Sequence, residues 1–173
     1  MPGKVQVFMT IIRPKNENDE KGLSELLFLI SSDLPHPIHA RPGGVPRLVE
    51  RLIQKDKLIV AENKGKLIGQ LAYLVVGDTL KVNITSIAPN HRKTPVLYRM
   101  IEYLANSEDA MITSKVETVA DPSSYGSLKV LEKLGFKIIG QTPDTFKPEN
   151  MFNIYQGKTE ELKRYFMRRI NHR

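Results

Sequence analysis

The apolar residues of this chain change their spacing at Leu58, and this change limits the folds that the chain can adopt. Before Leu58, apolar side chains recur at intervals of three and four over residues 23–30 and 48–53, which predicts two amphipathic helices. After it, short apolar runs and alternating positions over residues 58–87 predict three consecutive strands joined by tight turns. The chain therefore combines both periods and is expected to form a sheet covered by helices.

The rest of the chain continues this mixture. Arg13-Pro14 is expected to end a first strand, and Pro46 is well placed as the first residue of the second helix. The predicted order is β-α-α-β-β-β-α-β-α-β-β-α, which indicates an α+β protein with a mixed sheet. The predicted segments are 5–12, 23–30, a helix from Pro46, 58–61, 67–76, 80–87, 94–104, 111–119, 121–134, 136–139, 152–155 and 160–170.

The strand at residues 80–87 contains a phase slip. Leu80, Val82 and Ile84 alternate regularly, but the next position in phase is Ser86, and the apolar residue is Ile87. One inserted residue, a β-bulge, would return Ile87 to the apolar face. A bulge there is expected to separate this strand from its neighbour.

Composition bounds the class of protein. A chain of 173 residues suits one domain, and the absence of cysteine excludes disulfide scaffolds, thiol nucleophiles and cysteine-type zinc sites. The 26 basic and 19 acidic residues give a net charge of +7, which favours an anionic partner. No signal sequence or membrane-spanning run is recognisable, so a soluble cytoplasmic protein without membrane partners is expected.

Residues 86–104, SIAPNHRKTPVLYRMIEYL, form the first candidate site. A strand ends, a basic turn with Arg92 and Lys93 follows, and a helix begins with Thr94 as N-cap and Pro95 as its first residue. Unpaired N–H groups and the positive end of the helix dipole attract anions at such a place. An ordinary capped helix after a solvated basic turn is the alternative.

Residues 123–140, SSYGSLKVLEKLGFKIIG, form the second candidate. Here Gly135 ends a helix and Phe136 begins a strand, and a glycine cap before a core aromatic residue explains this pattern structurally. Together with the first candidate and the order of elements, the segment resembles the GNAT superfamily of acyl-CoA-dependent N-acyltransferases. The resemblance covers roughly residues 5–155.

The resemblance implies that acetyl-CoA binds in a V-shaped gap between two splayed parallel strands, here 80–87 and 111–119. Backbone groups near Thr85 and Ile87 would pair with the pantetheine chain, and the pyrophosphate would meet the basic turn. No metal is implied. The implied cofactor-binding residues are Thr85, Ile87, Arg92, Lys93, Thr94, Val96, Leu97, Ser124 and Ser127.

The sequence departs from the family at two places. The family's pyrophosphate loop, Gln/Arg-x-x-Gly-x-Gly/Ala, aligns with Arg92 and puts Pro95 and Leu97 where two small residues belong. Proline has no N–H, and leucine is bulky. The tyrosine that protonates the CoA thiolate in many members is replaced by Leu131, so the nearest phenol, Tyr125, is the candidate acid.

Candidates for the base and the acceptor site are less distinctive. Glu117 is the nearest ionisable group for a general base, and His91 is the alternative. Either residue is equally compatible with a plain surface position. The loop between the first two helices offers possible substrate contacts, although solvated loop residues are the alternative, and its histidine spacing does not define a metal site. The loop candidates are Asp33, His36, His39 and Arg41.

The resemblance therefore implies an N-acetyltransferase that uses acetyl-CoA, in which a primary amine of a small molecule or peptide attacks directly. A catalytically degenerate GNAT-fold binding or regulatory module is the alternative. Residues 1–157 would form the acetyltransferase domain, with a basic helix at 158–173 packed on it. Nucleic-acid binding by that helix is not favoured, and a homodimer through 152–155 stays open.

Overall fold

The computed structural model describes residues 9–33, 38–122 and 125–170, with only the backbone of His39, Tyr125 and Ile170. The strands are Ile11–Pro14 (β1), Lys57–Asn63 (β2), Lys66–Val76 (β3), Thr79–Ile87 (β4), Lys115–Ala120 (β5), Lys137–Pro143 (β6) and Met151–Lys158 (β7). The α-helices are Asp19–Ile30 (α1), Gly44–Gln54 (α2), Val96–Ala105 (α3), Glu108–Met111 (α4), Tyr125–Lys133 (α5) and Thr159–Ile170 (α6).

All seven strands form one mixed sheet in the order β1-β2-β3-β4-β5-β7-β6. The pair β4–β5 is parallel and the other neighbours are antiparallel. Helix α1 packs on β3 and β4 and beside α2, whereas α3 packs on β1, β2 and β3 and beside α6. The mixed sheet with helices against it confirms the α+β class that the two apolar periods predict.

The predicted apolar stripes form the core. In α1, Leu23, Leu26, Leu27 and Ile30 are buried, as the spacing predicts.

Lys15 reaches the C-terminus of α2, where its Nζ donates to the carbonyl oxygens of three residues that have no partner within the helix. These carbonyls belong to Leu52, Ile53 and Asp56.

Two predicted boundaries are wrong for identifiable reasons. Strand β1 runs through Arg13-Pro14 instead of ending before it, because β1 is an edge strand, where the missing proline N–H need not break the ladder. Residues 5–8 of the predicted strand lie outside the described residues. The strand expected from Met111 begins only at Lys115, since Ser107 caps the short helix α4 by accepting a hydrogen bond from the Ala110 N–H.

Strand β4 contains the bulge that its phase slip predicts, but the inserted residue is Asn83. Val82 pairs with Tyr73 and Ile84 with Ala72, so Asn83 has no partner opposite. Ser86 stands where the alternation would place an apolar residue, and it is buried. Its burial is tolerated because Gln70 Nε2 donates a hydrogen bond to its Oγ at 2.9 Å. The polar position that suggested an insertion is therefore filled by a buried polar pair.

The elements of the C-terminal half come in the predicted order, but α5 begins at Tyr125 instead of Asp121, and β6 and β7 are longer than the predicted strands 136–139 and 152–155. Gly135 has a φ of +79°, and the N–H groups of Gly135 and Phe136 bond the carbonyls of Glu132 and Leu131, the two bonds of a Schellman cap.

Strand β7 pairs with β5 on one side and β6 on the other, so residues 152–155 have no free edge for pairing across a dimer.

Helix α6 contributes Leu162 and Phe166 to the same hydrophobic core as the rest of the chain. Within the described ranges, every helix is too short or too polar to cross a membrane.

Candidate functional site

Strands β4 and β5 run side by side for four residues and then separate. Thr79–Val82 pair with Lys115–Thr118, and no register continues beyond them. Thr118 Oγ1 donates to the Val82 carbonyl at 3.2 Å, and the bulge at Asn83 follows at once. The gap beside residues 83–87, called the cleft below, has its vertex at this contact. The predicted separation of the two strands is confirmed.

The backbone of β4 lines the cleft with polar groups that β3 does not bond. The Ala88 N–H donates to the Ile68 carbonyl of β3 at 2.8 Å. Because successive residues of a strand point their N–H and C=O groups to opposite sides, those of Ile87 and Thr85 point away from β3, into the cleft. The four steps along the strand from residue 83 to residue 87 give the cleft a depth of roughly 13 Å. Thr85 and Ile87 are the two β4 residues that the family resemblance implies as contacts of the pantetheine chain.

The open end of the cleft leads to the N-terminus of α3. A single 3₁₀ turn, Pro89–His91, follows β4. Among the described residues, the N–H groups of Val96, Leu97 and Tyr98 have no hydrogen-bond partner, as in the first turn of any helix.

Thr94 does not act as the N-cap that the sequence predicts. Its hydroxyl donates back to the His91 carbonyl at 2.6 Å, and its N–H bonds the same carbonyl at 3.1 Å. Pro95 therefore occupies the N-cap position, without a side-chain bond. Of the predicted backbone donors, Thr94 is already used, and those of Lys93, Val96 and Leu97 are unpaired in the described part of the chain.

Arg92 lies across the open end of the cleft. Its Nε donates to the Ile87 carbonyl at 3.2 Å, and its Nη2 pairs with Asp33 Oδ2 at 2.6 Å. Both side chains are a little over two-fifths exposed. Arg92 thus joins the basic turn to the segment after α1, two places that the sequence treats as separate candidates.

Glu117 lies one register position before the vertex. Its Oε1 is 3.6 Å from Lys81 Nζ, and its Oε2 accepts a weak hydrogen bond from Gln156 Nε2 at 3.5 Å. Lys81 was missed by the sequence reasoning, although its place opposite Glu117 follows from the parallel register. His91 lies at the other end of the cleft, in the turn before α3.

Some predicted residues cannot be placed beside these. Ser124 and His36 lie outside the described residues, as do the side chains of Tyr125 and His39. Ser127 is exposed on α5. Within the described ranges, no three His, Asp or Glu side chains come together as metal ligands.

Arg41 follows α1 in the chain and contacts the loop between β6 and β7. Its guanidinium carbon lies 4.7 Å from the centroid of the Phe146 ring, a cation–π distance. Asp144 of the same loop is buried and accepts a hydrogen bond from the Phe146 N–H. Two loops far apart in sequence therefore meet at Arg41.

A separate polar cluster joins β2 and β3 to α4. Lys57 Nζ donates to both carboxylate oxygens of Asp109 at 2.7 Å, and the Tyr73 hydroxyl donates to Oδ2 at 2.9 Å. Burial and the bond to Asp109 raise the pKa of Tyr73. Burial alone would raise the pKa of Asp109, but the hydrogen bonds from Lys57 and Tyr73 outweigh it and hold that pKa below its usual value. These groups satisfy one another.

Comparison with known proteins identifies the fold. No family model and no curated protein matches the chain. Among solved structures, an N-acetyltransferase from Staphylococcus aureus Mu50 is 14% identical, with a TM-score of 0.71 over 87% of this chain and 99% of its own. The ribosomal-protein-S18-alanine N-acetyltransferase from Escherichia coli is 15% identical, with a TM-score of 0.68 over 87% and 94%. An aminoglycoside 6′-N-acetyltransferase complexed with coenzyme A is 16% identical, with a TM-score of 0.68 over 86% and 97%.

Proposed function

Because the chain has the fold of the GNAT acetyltransferases, we propose that it transfers an acetyl group from acetyl-CoA to a primary amine. One observation carries this proposal. The parallel strands β4 and β5 part after Val82 and Thr118, and the cleft between them runs toward the unpaired N–H groups of α3. A narrow cleft with backbone donors and acceptors along one wall suits an extended chain with amide groups.

The parts of acetyl-CoA match the parts of the cleft in order. In this proposal the pantetheine amides bond the backbone of Thr85 and Ile87, as a further strand would. The pyrophosphate meets the first-turn N–H groups of α3 and the cations Arg92 and Lys93. A solved structure of the same fold is complexed with coenzyme A, which supports the use of an acyl-CoA by this fold.

The proposed reaction takes place at the vertex. The amine nitrogen forms a bond to the thioester carbonyl carbon, the carbon–sulfur bond breaks, and the amine loses a proton. A cleft-facing N–H stabilises the developing oxyanion, and binding both reactants replaces a bimolecular encounter. Glu117 receives the amine proton, directly or through water. The CoA thiolate is a weak base, so water or Tyr125 suffices to protonate it.

The acceptor is proposed only as a class, a primary amine of a small molecule or peptide. Asp33 and Arg41 lie on the segment between α1 and α2. Asp33 is next to the open end of the cleft, and Arg41 is next to the loop between β6 and β7. They are the proposed contacts for the acceptor. The proposal includes the cytoplasmic location that the sequence predicts.

A GNAT-fold binding module without catalysis is the second candidate. It is favoured by the start of α3, where Pro95 has no N–H, Leu97 carries a bulky side chain and the N–H of Thr94 is already bonded. These features leave fewer donors for a pyrophosphate than a glycine-rich loop provides.

Calorimetric titration with acetyl-CoA, followed by turnover assays on a panel of primary amines, tests both candidates. An N-acetyltransferase binds acetyl-CoA and releases free CoA thiol in the presence of one of the amines. A binding module gives the same heat of binding but no turnover. Absence of heat and of a thermal shift at millimolar acetyl-CoA would contradict both.

A further inference from the structure

Arg92 makes two contacts that a ligand entering the cleft would have to replace. Its Nε occupies the Ile87 carbonyl, one of the two acceptors that face the cleft, and its Nη2 holds Asp33. We propose that Asp33 is a positioning residue that keeps Arg92 across the open end of the cleft, and that the pyrophosphate of acetyl-CoA binds by taking Arg92 from it. This inference rests on the proposed function.

The chemistry of the pair favours an exchange of partners. A guanidinium presents its donors in one plane, which suits a phosphate at least as well as a carboxylate. The Asp33 carboxylate accepts one bond from Arg92, whereas a pyrophosphate offers two charged groups next to Lys93 and the unpaired N–H groups of α3. Asp33 therefore lowers the affinity for the cofactor in two ways: its carboxylate competes with the pyrophosphate for Arg92, and its negative charge repels the pyrophosphate directly.

The strength of the pair sets the size of the effect. Both side chains are more than two-fifths exposed, and exposed ion pairs shift an equilibrium only modestly. Arg92 is then free of Asp33 in only a fraction of the protein molecules. The apparent dissociation constant of acetyl-CoA is the intrinsic constant divided by that fraction. Removing the Asp33 charge is expected to tighten acetyl-CoA binding about two- to fivefold.

The exchange also links two parts of the site. Asp33 lies after α1, on the segment proposed to contact the acceptor, and its carboxylate loses Arg92 in every molecule that has bound the cofactor. Acetyl-CoA binding therefore changes the charge that the acceptor side presents, which favours binding of the cofactor before a cationic amine.

The test is a double-mutant cycle of acetyl-CoA dissociation constants measured by calorimetry. The proteins are the wild type, Asp33→Asn, Arg92→Gln and the double variant, each checked for an unchanged melting temperature. Glu160→Gln is the matched control, because it also removes one carboxylate from an exposed ion pair with arginine, on α6. It changes the net charge by the same amount, so it reports any effect of overall charge.

Asp33→Asn is expected to tighten binding two- to fivefold and Arg92→Gln to weaken it about tenfold or more. In the Arg92→Gln protein, Asp33→Asn is expected to tighten binding less than in the wild type, because only the direct repulsion of the pyrophosphate is then removed. Asp33→Glu, which keeps the charge, is expected to restore the wild-type value. An Asp33→Asn protein that binds acetyl-CoA equally well or more weakly, or an equal gain in Glu160→Gln, overturns the exchange but leaves the proposed function intact. No binding by any of the proteins overturns both.

Discussion

Glu117 makes the most direct test of chemistry at the scale of one residue. It lies next to the vertex of the cleft, where the thioester would be. Its carboxylate forms an ion pair with Lys81 and accepts a weak hydrogen bond from Gln156. Glu117→Gln is expected to lower kcat about 100-fold, within the usual contribution of a general base. The dissociation constant of acetyl-CoA should stay unchanged, because the pantetheine contacts are to backbone groups.

Glu132→Gln is the control for this prediction, since Glu132 is an exposed residue of α5. Steady-state kinetics with the amine that the panel identifies measure both variants. A Glu117→Gln enzyme with wild-type kcat would exclude Glu117 as the base and direct attention to His91 or to water.

Single residues show where reading the sequence succeeds and where it fails. Thr85 and Ile87 were named by the family resemblance, and the direction of their backbone groups follows from alternation only once the register with β3 is known. The contact between Asp33 and Arg92 joins residues 59 positions apart and depends on how two loops pack, which no local pattern encodes. Thr94 failed as a cap because its hydroxyl found a competing acceptor at His91.

At the scale of an element, substitution by alanine is expected to change stability in opposite directions at two glycines, one within α5 and one at its C-terminal cap. Gly135 has a φ of +79° at the C-terminal cap, where alanine would be strained, so Gly135→Ala is expected to lower the free energy of unfolding by about 1 kcal/mol. Gly126 lies inside the helix with open space around it, so Gly126→Ala is expected to raise it by about 0.5 kcal/mol.

Urea unfolding of the two glycine variants beside the wild type measures both changes. Because the substitution is chemically the same, shifts of equal sign would show that the cap of α5 is not held in the left-handed conformation that the Schellman bonds require.

The start of α1 predicts a dependence of stability on pH. Arg13 holds Asp19 with two hydrogen bonds of 2.8 Å, and the Asn16 N–H donates a third, also of 2.8 Å. The bonds from Arg13 outweigh burial and lower the pKa of Asp19 below its usual value. A lowered pKa in the folded protein stabilises it above the ordinary carboxyl pKa, and that contribution is lost as pH falls through the folded value.

Asp19→Asn is therefore expected to cost about 2 kcal/mol at pH 7 and much less near pH 2. The neighbouring exposed residue provides the control, because Glu20→Gln removes a charge from the same helical turn without a buried network. Chemical denaturation at the two pH values measures both. A cost for Asp19→Asn that is the same at pH 2 and pH 7 would contradict the assignment.

Elements with a long apolar stripe or a clear alternation were predictable, and the short ones were not. Helix α1 and the hairpin of β2 and β3 follow directly from their spacing. Helix α4 has one turn and depends on the Ser107 cap, so it was not predicted, and its last residue, Met111, was assigned to the next strand. The bulge was predictable in kind, but its position at Asn83 depends on the buried pair of Gln70 and Ser86.

At the scale of the whole molecule, α6 is part of the common core. Leu162 and Phe166 are 2% and 4% exposed and belong to the same cluster as the core of the sheet. Leu162→Ala is expected to cost about 2 to 5 kcal/mol and to lower the temperature of a single calorimetric transition. The exposed Met167→Ala is the control and should change the transition little. Two separate transitions would show that α6 unfolds independently of the sheet.

The strand order β5-β7-β6 affects when the cleft can form during synthesis. Strands β1 to β4 are neighbours in both sequence and sheet, so they can assemble as a growing meander while the chain leaves the ribosome. Strand β5, the far wall of the cleft, needs β7 as its second partner, and Lys115 faces Lys158 across that pair. The nascent protein therefore has to complete residues 151–158 before β5 has a neighbour on each side, so the far wall of the cleft is among the last parts of the sheet to be fixed.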